Sequence, residues 1–173
     1  MDTEEKQEII LNFIKKHKIA VLATVFPNHK PEAAVIEFGE TDDLELIFDT
    51  ISTYRKYKNL KQNKNVAFVI GWDEDITVQY EGIAQELSGR RLERYQRLYW
   101  KKNPSAQHWM TNSDIRYFKV IPKWIRYSVL ENISLVLNLC FRYIPKNITI
   151  WNIICVFRYD LKKKPWEVFE IRF

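Results

Sequence analysis

The segment at residues 44–60 reads LELIFDTISTYRKYKNL, and it predicts a strand that turns directly into a helix. Apolar and polar side chains alternate at its start, as they do in a strand that buries one face. The hydroxyl side chains of Thr50, Ser52 and Thr53 follow, and we expect them to cap the next helix. That helix opens with Arg55 and Lys56, so two cations lie beside free backbone N–H groups. This pattern favours a phosphate site, although a capped helix whose cations simply face water has the same pattern.

On both sides of this segment, short strand-like runs alternate with turns. Predicted strands cover residues 19–25, 31–38, 44–48, 66–70, 76–87, 117–121, 124–129 and 166–173, and predicted helices cover residues 3–17, 53–62 and 89–103. Residues 39–43 and 105–113 are predicted to be irregular, and Pro122 is expected to separate two strands. Gly82 lies inside the longest strand, which indicates a bulge or a close approach of other atoms. Because most strands are joined by turns, the pattern predicts a mainly β fold, an antiparallel barrel with peripheral helices.

Composition favours a globular protein with a real core. The 173 residues are 46% hydrophobic, and we treat residues 1–173 as a single domain. We find no secretory signal and no apolar run of about 18 residues that could span a membrane, so we expect a cytoplasmic protein. The net charge is +5, but no basic cluster with interleaved aromatic residues argues for nucleic acid. Cys140 and Cys155 lack the spacing of a metal site and are interpreted as small buried hydrophobic residues.

Several short motifs occur in an order and spacing that are typical of a known family. They are ATV at 23–25, KPEAAV at 30–35, FDT at 48–50, YRK at 54–56 and QYEGIA at 79–84. Over about residues 5–128 and the last eight residues, the chain resembles the pyridoxamine 5′-phosphate oxidase-like FMN-binding split-barrel proteins. The resemblance implies an antiparallel split β-barrel that forms a homodimer, with FMN bound in a groove between the two barrels.

The resemblance also implies positions for the cofactor contacts. The matching residues are Ala33, Ala34, Val35, Ile36, Asp49, Thr50, Arg55, Lys56 and Gln79. Among them, Arg55 and Lys56 match the pair that binds the FMN phosphate, while residues 33–36 match the strand whose backbone borders the flavin ring. Asp49 and Thr50 match a contact at the end of a strand. Gln79 best represents a family glutamine, although strict register would place that glutamine at Thr77.

The chain departs from the true oxidase at two places. The oxidase has a basic residue at each end of the flavin-bordering strand, where this chain has Glu32 and Glu37. We also find no match to the basic C-terminal motif that holds the vitamin phosphate, so pyridoxamine phosphate is not expected as the substrate. The sequence looks closer to general stress protein-like relatives. Residues 130–160 look like an insertion, which would form a β-hairpin or a pair of helices.

The sequence leaves three functional hypotheses. The first is an FMN-dependent oxidoreductase that acts on a small molecule or accepts electrons from a carrier. The second is a flavin- or haem-binding module without turnover, although none of the three histidines lies in a recognisable haem motif. The third is a degenerate dimer that has lost its cofactor. No side chain stands out as a catalytic acid or base, and His29, His108 and Tyr80 are candidates by residue type alone.

Overall fold

The computed structural model describes residues 2–26, 28–72, 75–129 and 168–172. The helices are α1 (Thr3–Lys16), α2 (Arg55–Gln62) and α3 (Gly89–Lys102), and a 3₁₀-helix covers Pro104–Trp109. The strands are β1 (Ile19–Val25), β2 (Pro31–Glu37), β3 (Gly39–Glu40), β4 (Leu46–Ile51), β5 (Asn65–Ile70), β6 (Ile76–Glu86), β7 (Ile115–Val129) and β8 (Val168–Arg172). The helices and most strands lie where the sequence predicted them, within one or two residues.

The described strands form one antiparallel sheet in the order β2-β1-β5-β6-β7-β4-β3, and β8 pairs with β7. The first part of β7 pairs with β4 and its later part with β8. The sheet curls so that β2 approaches β4, and α2 packs against β1 and β4 at this opening. The mainly β, antiparallel split-barrel prediction is therefore confirmed. The opening between β2 and β4 is the split in the barrel.

Two hydrophobic cores explain why β4 does not alternate. The larger core fills the inside of the barrel and includes Phe48, Phe68 and Tyr80. The smaller core lies between α3 and the outer side of the sheet, and it buries Ile47 completely. Because β4 contributes to both cores, its burial pattern is nearly continuous. A pattern that assumes one buried face therefore places this strand too early, at residues 44–48.

The turn before β4 also differs from the prediction. Leu44 has a φ of 61° and its N–H bonds to the carbonyl of Thr41, so it belongs to a turn and not to the strand. The predicted turn at residues 39–43 contains the short strand β3, which pairs with the start of β4. Tyr80, buried inside the barrel, donates its hydroxyl to the carbonyls of Leu44 and Val120, at 3.1 and 3.0 Å. Tyr80 therefore has a structural role, and burial raises the pKa of its hydroxyl well above its usual range.

The predicted hydroxyl caps of α2 are wrong. The N-cap residue is Tyr54, and no side chain caps the helix. Thr50 lies within β4, while the Ser52 hydroxyl donates to the Asp114 carboxylate at 3.1 Å. The N–H of Tyr54 closes a turn on the carbonyl of Ile51. These bonds fix the connection between β4 and α2 and leave the start of α2 without a side-chain acceptor.

The long strands β6 and β7 pass each other at a bulge. Their register shifts between Glu81 and Gly82, where Gly82 faces Pro122. A Cβ atom on Gly82 would lie 2.6 Å from the carbonyl oxygen of Ile121, so only glycine fits there. The predicted bulge is confirmed. The predicted break at Pro122 is wrong, because the irregular register lets a proline sit in a continuous β7.

The C-terminal strand predicted at residues 166–173 is found as β8. The predicted insertion at residues 130–160, with its two cysteines, lies outside the described residues. None of the helices in the described part of the chain combines the length and the hydrophobicity that a membrane span requires. The single-domain assignment of residues 1–173 stays a prediction.

Candidate functional site

The candidate site lies at the opening between β2 and β4, at the first turn of α2. Arg55 and Lys56 begin this helix, and Tyr54 precedes it in extended conformation with no side-chain cap. The first N–H groups of α2 therefore have no side-chain acceptor. The Arg55 side chain is 73% exposed, and the Lys56 ammonium lies 5.8 Å from the centre of the Tyr54 ring. Two cations and a positive helix end thus meet at one place, as the sequence predicted.

A carboxylate of the same chain faces these cations. The Glu32 side chain is only 20% exposed, and its Oε1 lies 3.4 Å from Nε of Arg55. Asn59, fully buried on the inner side of α2, donates its Nδ2 to Oε2 of Glu32 at 2.8 Å. The same amide donates to Oγ1 of Thr24 at 2.9 Å. Strand β1, strand β2 and helix α2 are therefore joined by one polar network beneath the cations.

Asp49 adds a second carboxyl group near Lys56. Burial, and next the charge of Glu37, raise its pKa from 3.8 to about 6, while Lys56 and the Tyr99 hydroxyl act in the opposite direction. Burial also lowers the pKa of Lys56, against the opposing effect of Asp49 and Glu32. Asp49 can therefore gain or lose a proton close to neutral pH.

Thr50 carries a buried hydroxyl that the protein leaves without a partner. The residue is 4% exposed, and its Oγ1 has no hydrogen-bond partner among the described residues. The side-chain carbonyl oxygen of Asn59, Oδ1, is also buried without a hydrogen-bond partner among the described residues. Buried polar atoms normally find a partner, so a polar ligand or a water molecule at the opening could bond to the Thr50 hydroxyl.

The predicted flavin-bordering residues lie on a terminal strand of the sheet. Ala34 and Ile36 face the inside of the barrel, opposite Leu22 and Ala20 of β1. Ala33 and Val35 face outward. Since β2 is the last strand of the described sheet, one of its backbone edges is free for hydrogen bonds. The structure thus places residues 33–36 on the strand that forms one side of the opening, and their contact with a flavin ring stays a prediction.

Gln79 does not join the other predicted residues within one chain. It lies on β6 between the buried Val78 and Tyr80, so its side chain faces the outer side of the barrel. There it pairs with Val69 of β5 and Arg126 of β7. Thr77 lies on the same outer side, so the alternative register does not change this result. A contact from either residue to a cofactor at Arg55 would need a second subunit.

The sequence did not predict the buried polar network of Thr24, Glu32 and Asn59. Asn59 and Thr24 are 35 positions apart, and no motif connects them. One local signal was available, because Asn59 follows Arg55 by four positions and shares its face of α2. A buried amide beneath an exposed cation is typical of a polar network and not of a solvated helix.

The remaining candidate groups lie elsewhere. Nδ1 of His108 is 2.9 Å from the carbonyl oxygen of Ser105, and His29 is exposed in a turn with a φ of 63°. No group of three or more metal-binding side chains occurs in the described residues. A groove of about 300 Å³ lies on the outer side of the barrel, between residues that include Ala23, Ala67 and Lys123. None of the residues that line it is a predicted cofactor contact, and only Thr24 among them belongs to the polar network beneath the cations.

The split barrel and a match to a known protein family define the class of the protein. The chain belongs to the pyridoxamine 5′-phosphate oxidase family, whose sequence profile matches residues 7–128. This confirms the resemblance that the sequence motifs indicated.

Individual relatives agree with this assignment. The chain is 32% identical over 90 residues to a pyridoxine/pyridoxamine 5′-phosphate oxidase of Ehrlichia ruminantium (strain Welgevonden), which covers 51% of this chain and 46% of that protein. The chain thus matches about half the length of this relative. General stress protein 26 from Bacillus anthracis str. Sterne has a similar structure, with a TM-score of 0.60, 26% identity and coverage of 71% of this chain and 93% of that one.

A third similar structure is a haem-binding protein from Mycobacterium smegmatis. Its TM-score is 0.63 with 16% identity, and the match covers 73% of this chain and 54% of that one. At this identity the likeness concerns the fold alone.

Proposed function

We propose that this protein binds FMN at the opening between β2 and β4 and acts as an FMN-dependent oxidoreductase on a small molecule. The observation that carries the proposal is the uncapped start of α2, where Arg55 and Lys56 lie next to free N–H groups. A dianionic phosphate fits this set, because charge-assisted bonds from cations and from a helix start suit it best. The free edge of β2 would offer backbone groups to a flat ring, and the unpartnered Thr50 hydroxyl would offer a further polar contact.

The bound flavin would supply the hydride or electron chemistry. The chain would bind and orient the flavin and the substrate, and its side chains would donate or accept protons. Asp49 is suited to hold a proton at its carboxyl oxygens, since its pKa is raised to about 6. Pyridoxamine phosphate is a poor candidate for the substrate. A second phosphate would approach a site whose remaining charges are those of Glu37 and Asp49, and like charges repel.

Haem is supported less well than FMN by the described residues. Two of the three histidines have a ring nitrogen 2.9 Å from a backbone carbonyl of their own helix, His17 at Phe13 and His108 at Ser105. The third, His29, lies in an exposed turn. None of them belongs to the opening between β2 and β4, whereas the two cations do.

We further propose that two copies of the chain pair through the outer side of the barrel. Valines from three neighbouring strands form a lateral row there, with Val21 of β1 between Val35 of β2 and Val69 of β5. Val35 is 61% exposed and Val69 is 37% exposed, which is unusual for adjacent large apolar side chains. Gln79 continues this row. In a homodimer of this kind, Gln79 would face the partner chain.

The proposal is tested by titrating the purified chain with FMN, riboflavin and haemin separately. Quenching of flavin fluorescence reports flavin binding, and the visible spectrum reports haem. We expect FMN to bind at least about a hundredfold more tightly than riboflavin, since two or more charge-assisted bonds are made only by the phosphate. The loaded protein should then oxidise NAD(P)H or another donor. Equal affinity for FMN and riboflavin, or binding of haemin alone, would overturn the assignment.

A further inference from the structure

We infer that Glu32 is an internal counter-ion that holds Arg55 in the cofactor-free protein and competes with the FMN phosphate for it. FMN would accordingly be an exchangeable cofactor that displaces a built-in ion pair when it binds. The inference rests on the proposed function, because it concerns the same phosphate position.

The position of the Glu32 carboxylate is fixed from two sides. Glu32 pairs with Thr24 in the register of β1 and β2, so its side chain points inward, beneath α2. There Asn59, which is fully buried, donates to Oε2 at 2.8 Å. An acid that merely faced solvent would not point beneath α2 and would not accept a bond from a buried amide. The Glu32 carboxylate is therefore a fixed member of the polar network and not a solvated charge near a cation.

Arg55 is the exposed member of the ion pair. Its side chain is 73% exposed, against 20% for Glu32, and Nε lies 3.4 Å from Oε1. An exposed guanidinium can turn toward a ligand at little cost, whereas the anchored carboxylate stays in place. A phosphate that recruits Arg55 must therefore displace this contact or share the guanidinium with Glu32, and in both cases it lies close to the Glu32 charge.

The second cation is compensated in the same way. Lys56 is stabilised in its charged form by both Asp49 and Glu32. Two acids of the same chain, Asp49 and Glu32, therefore already partly neutralise the two cations. A third acid, Glu37, lies close enough to raise the pKa of Asp49. Affinity for an anion should be lower than two free cations at a helix start would give.

The test replaces Glu32 by Gln and compares FMN binding with that of the parent chain. Glutamine keeps the length of the side chain and an oxygen that can accept the Asn59 bond, so it removes mainly the charge. The matched control is Glu8→Gln, which removes one charge from an exposed position of α1. This helix does not form the opening between β2 and β4. Both variants are first checked for folding by urea denaturation.

We expect E32Q to lower the Kd for FMN by about five- to tenfold, the range of an exposed ion pair plus the removed repulsion. Riboflavin affinity should not change, because riboflavin has no phosphate. E8Q should change the FMN affinity by less than about twofold. The dissociation constant of inorganic phosphate, obtained from its competition with FMN, should fall by a similar factor in E32Q. The difference between E32Q and the parent should shrink at 1 M salt.

The outcomes separate this inference from the proposed function. If the parent binds FMN and a folded E32Q binds it equally or more weakly, the inference is wrong and the phosphate site stands. If the parent and both variants fail to bind FMN, the proposed function is wrong and the inference falls with it. Should E32Q not fold, the side-chain NMR signals of Glu32 and Arg55 in the parent decide. They should shift on addition of FMN but not of riboflavin, and unchanged signals would overturn the inference.

Discussion

Replacing Asp49 by Asn should stabilise this protein at neutral pH. The carboxyl group is largely buried between Glu37, Lys56, Tyr99 and the sheet, and burial makes its ionised form unfavourable. Asparagine has the same shape and carries no charge, and its Oδ1 can still accept a bond from Tyr99. The substitution therefore removes a cost that the folded protein bears only when Asp49 is ionised.

The size of the effect follows from the pKa. Burial raises the pKa of Asp49 from 3.8 to about 6. Each pKa unit corresponds to about 1.36 kcal/mol, so the ionised form costs roughly 2–3 kcal/mol of folding stability. Because the folded protein binds this proton more tightly than the unfolded chain, stability should fall as the pH rises from about 4 to about 6. Above that range the full cost is present, and below it the cost disappears.

The assay is urea denaturation of the parent and D49N at pH values from 4 to 8. D49N should be more stable by about 2 kcal/mol at pH 7.5 and nearly equal to the parent at pH 4. The control is Asp42→Asn. Lys15 bonds to this exposed carboxylate at 2.9 Å and lowers its pKa, so D42N should not stabilise the protein at any pH. A D49N that is destabilised, or whose gain does not depend on pH, would refute the reasoning.

Two further substitutions test the bulge and the proposed dimer. Gly82→Ala should cost about 3 kcal/mol, because the new Cβ would lie 2.6 Å from a backbone oxygen and 2.6 Å from Cγ1 of Val120. Gly89→Ala should cost only about 1 kcal/mol, since nothing lies within 4 Å and only its φ of 57° is strained; equal losses in urea denaturation would contradict the bulge geometry. Val35→Asp places a charge in the exposed valine row, so light scattering should find a folded monomer for this variant and a dimer for the parent. A parent that is monomeric at micromolar concentration would contradict the dimer.

Local signals were enough to predict most of the fold. The position of α2 and the bulge at Gly82 follow from turn residues and from a glycine inside a long strand. The start of β4 could not be predicted, because Ile47 is buried by α3, which lies some fifty residues later in the chain. Alternation of apolar and polar residues predicts a strand with one buried face, whereas β4 buries both of its faces. The helix cap was wrong for a related reason, since Ser52 bonds to the distant Asp114 and not to α2.

In the candidate site too, local sequence predicted one part, and the other part depends on residues that are distant along the chain. Arg55 and Lys56 are adjacent in the sequence and lie at a helix start, so a local motif located them. The network beneath them joins Asn59 to Glu32 and to Thr24, which precede it by 27 and 35 positions along the chain. Only the pairing of β1 with β2 and the packing of α2 bring these residues together. The sequence showed that Glu32 was an unusual residue, but not that the chain already used it to neutralise Arg55.

The central claim is that Arg55 and Lys56 bind a phosphate, and its most direct test replaces both by Ala. The affinity for FMN and for riboflavin is then measured side by side in a variant shown to be folded by urea denaturation. Charge-assisted bonds are worth roughly 1.5–3 kcal/mol each, so the Kd for FMN should rise at least about a hundredfold. The Kd for riboflavin should stay within about twofold of the parent value, because riboflavin has no phosphate and makes no charge-assisted bond to these cations. A folded double variant that binds FMN as tightly as the parent, or that loses FMN and riboflavin equally, would contradict the phosphate site.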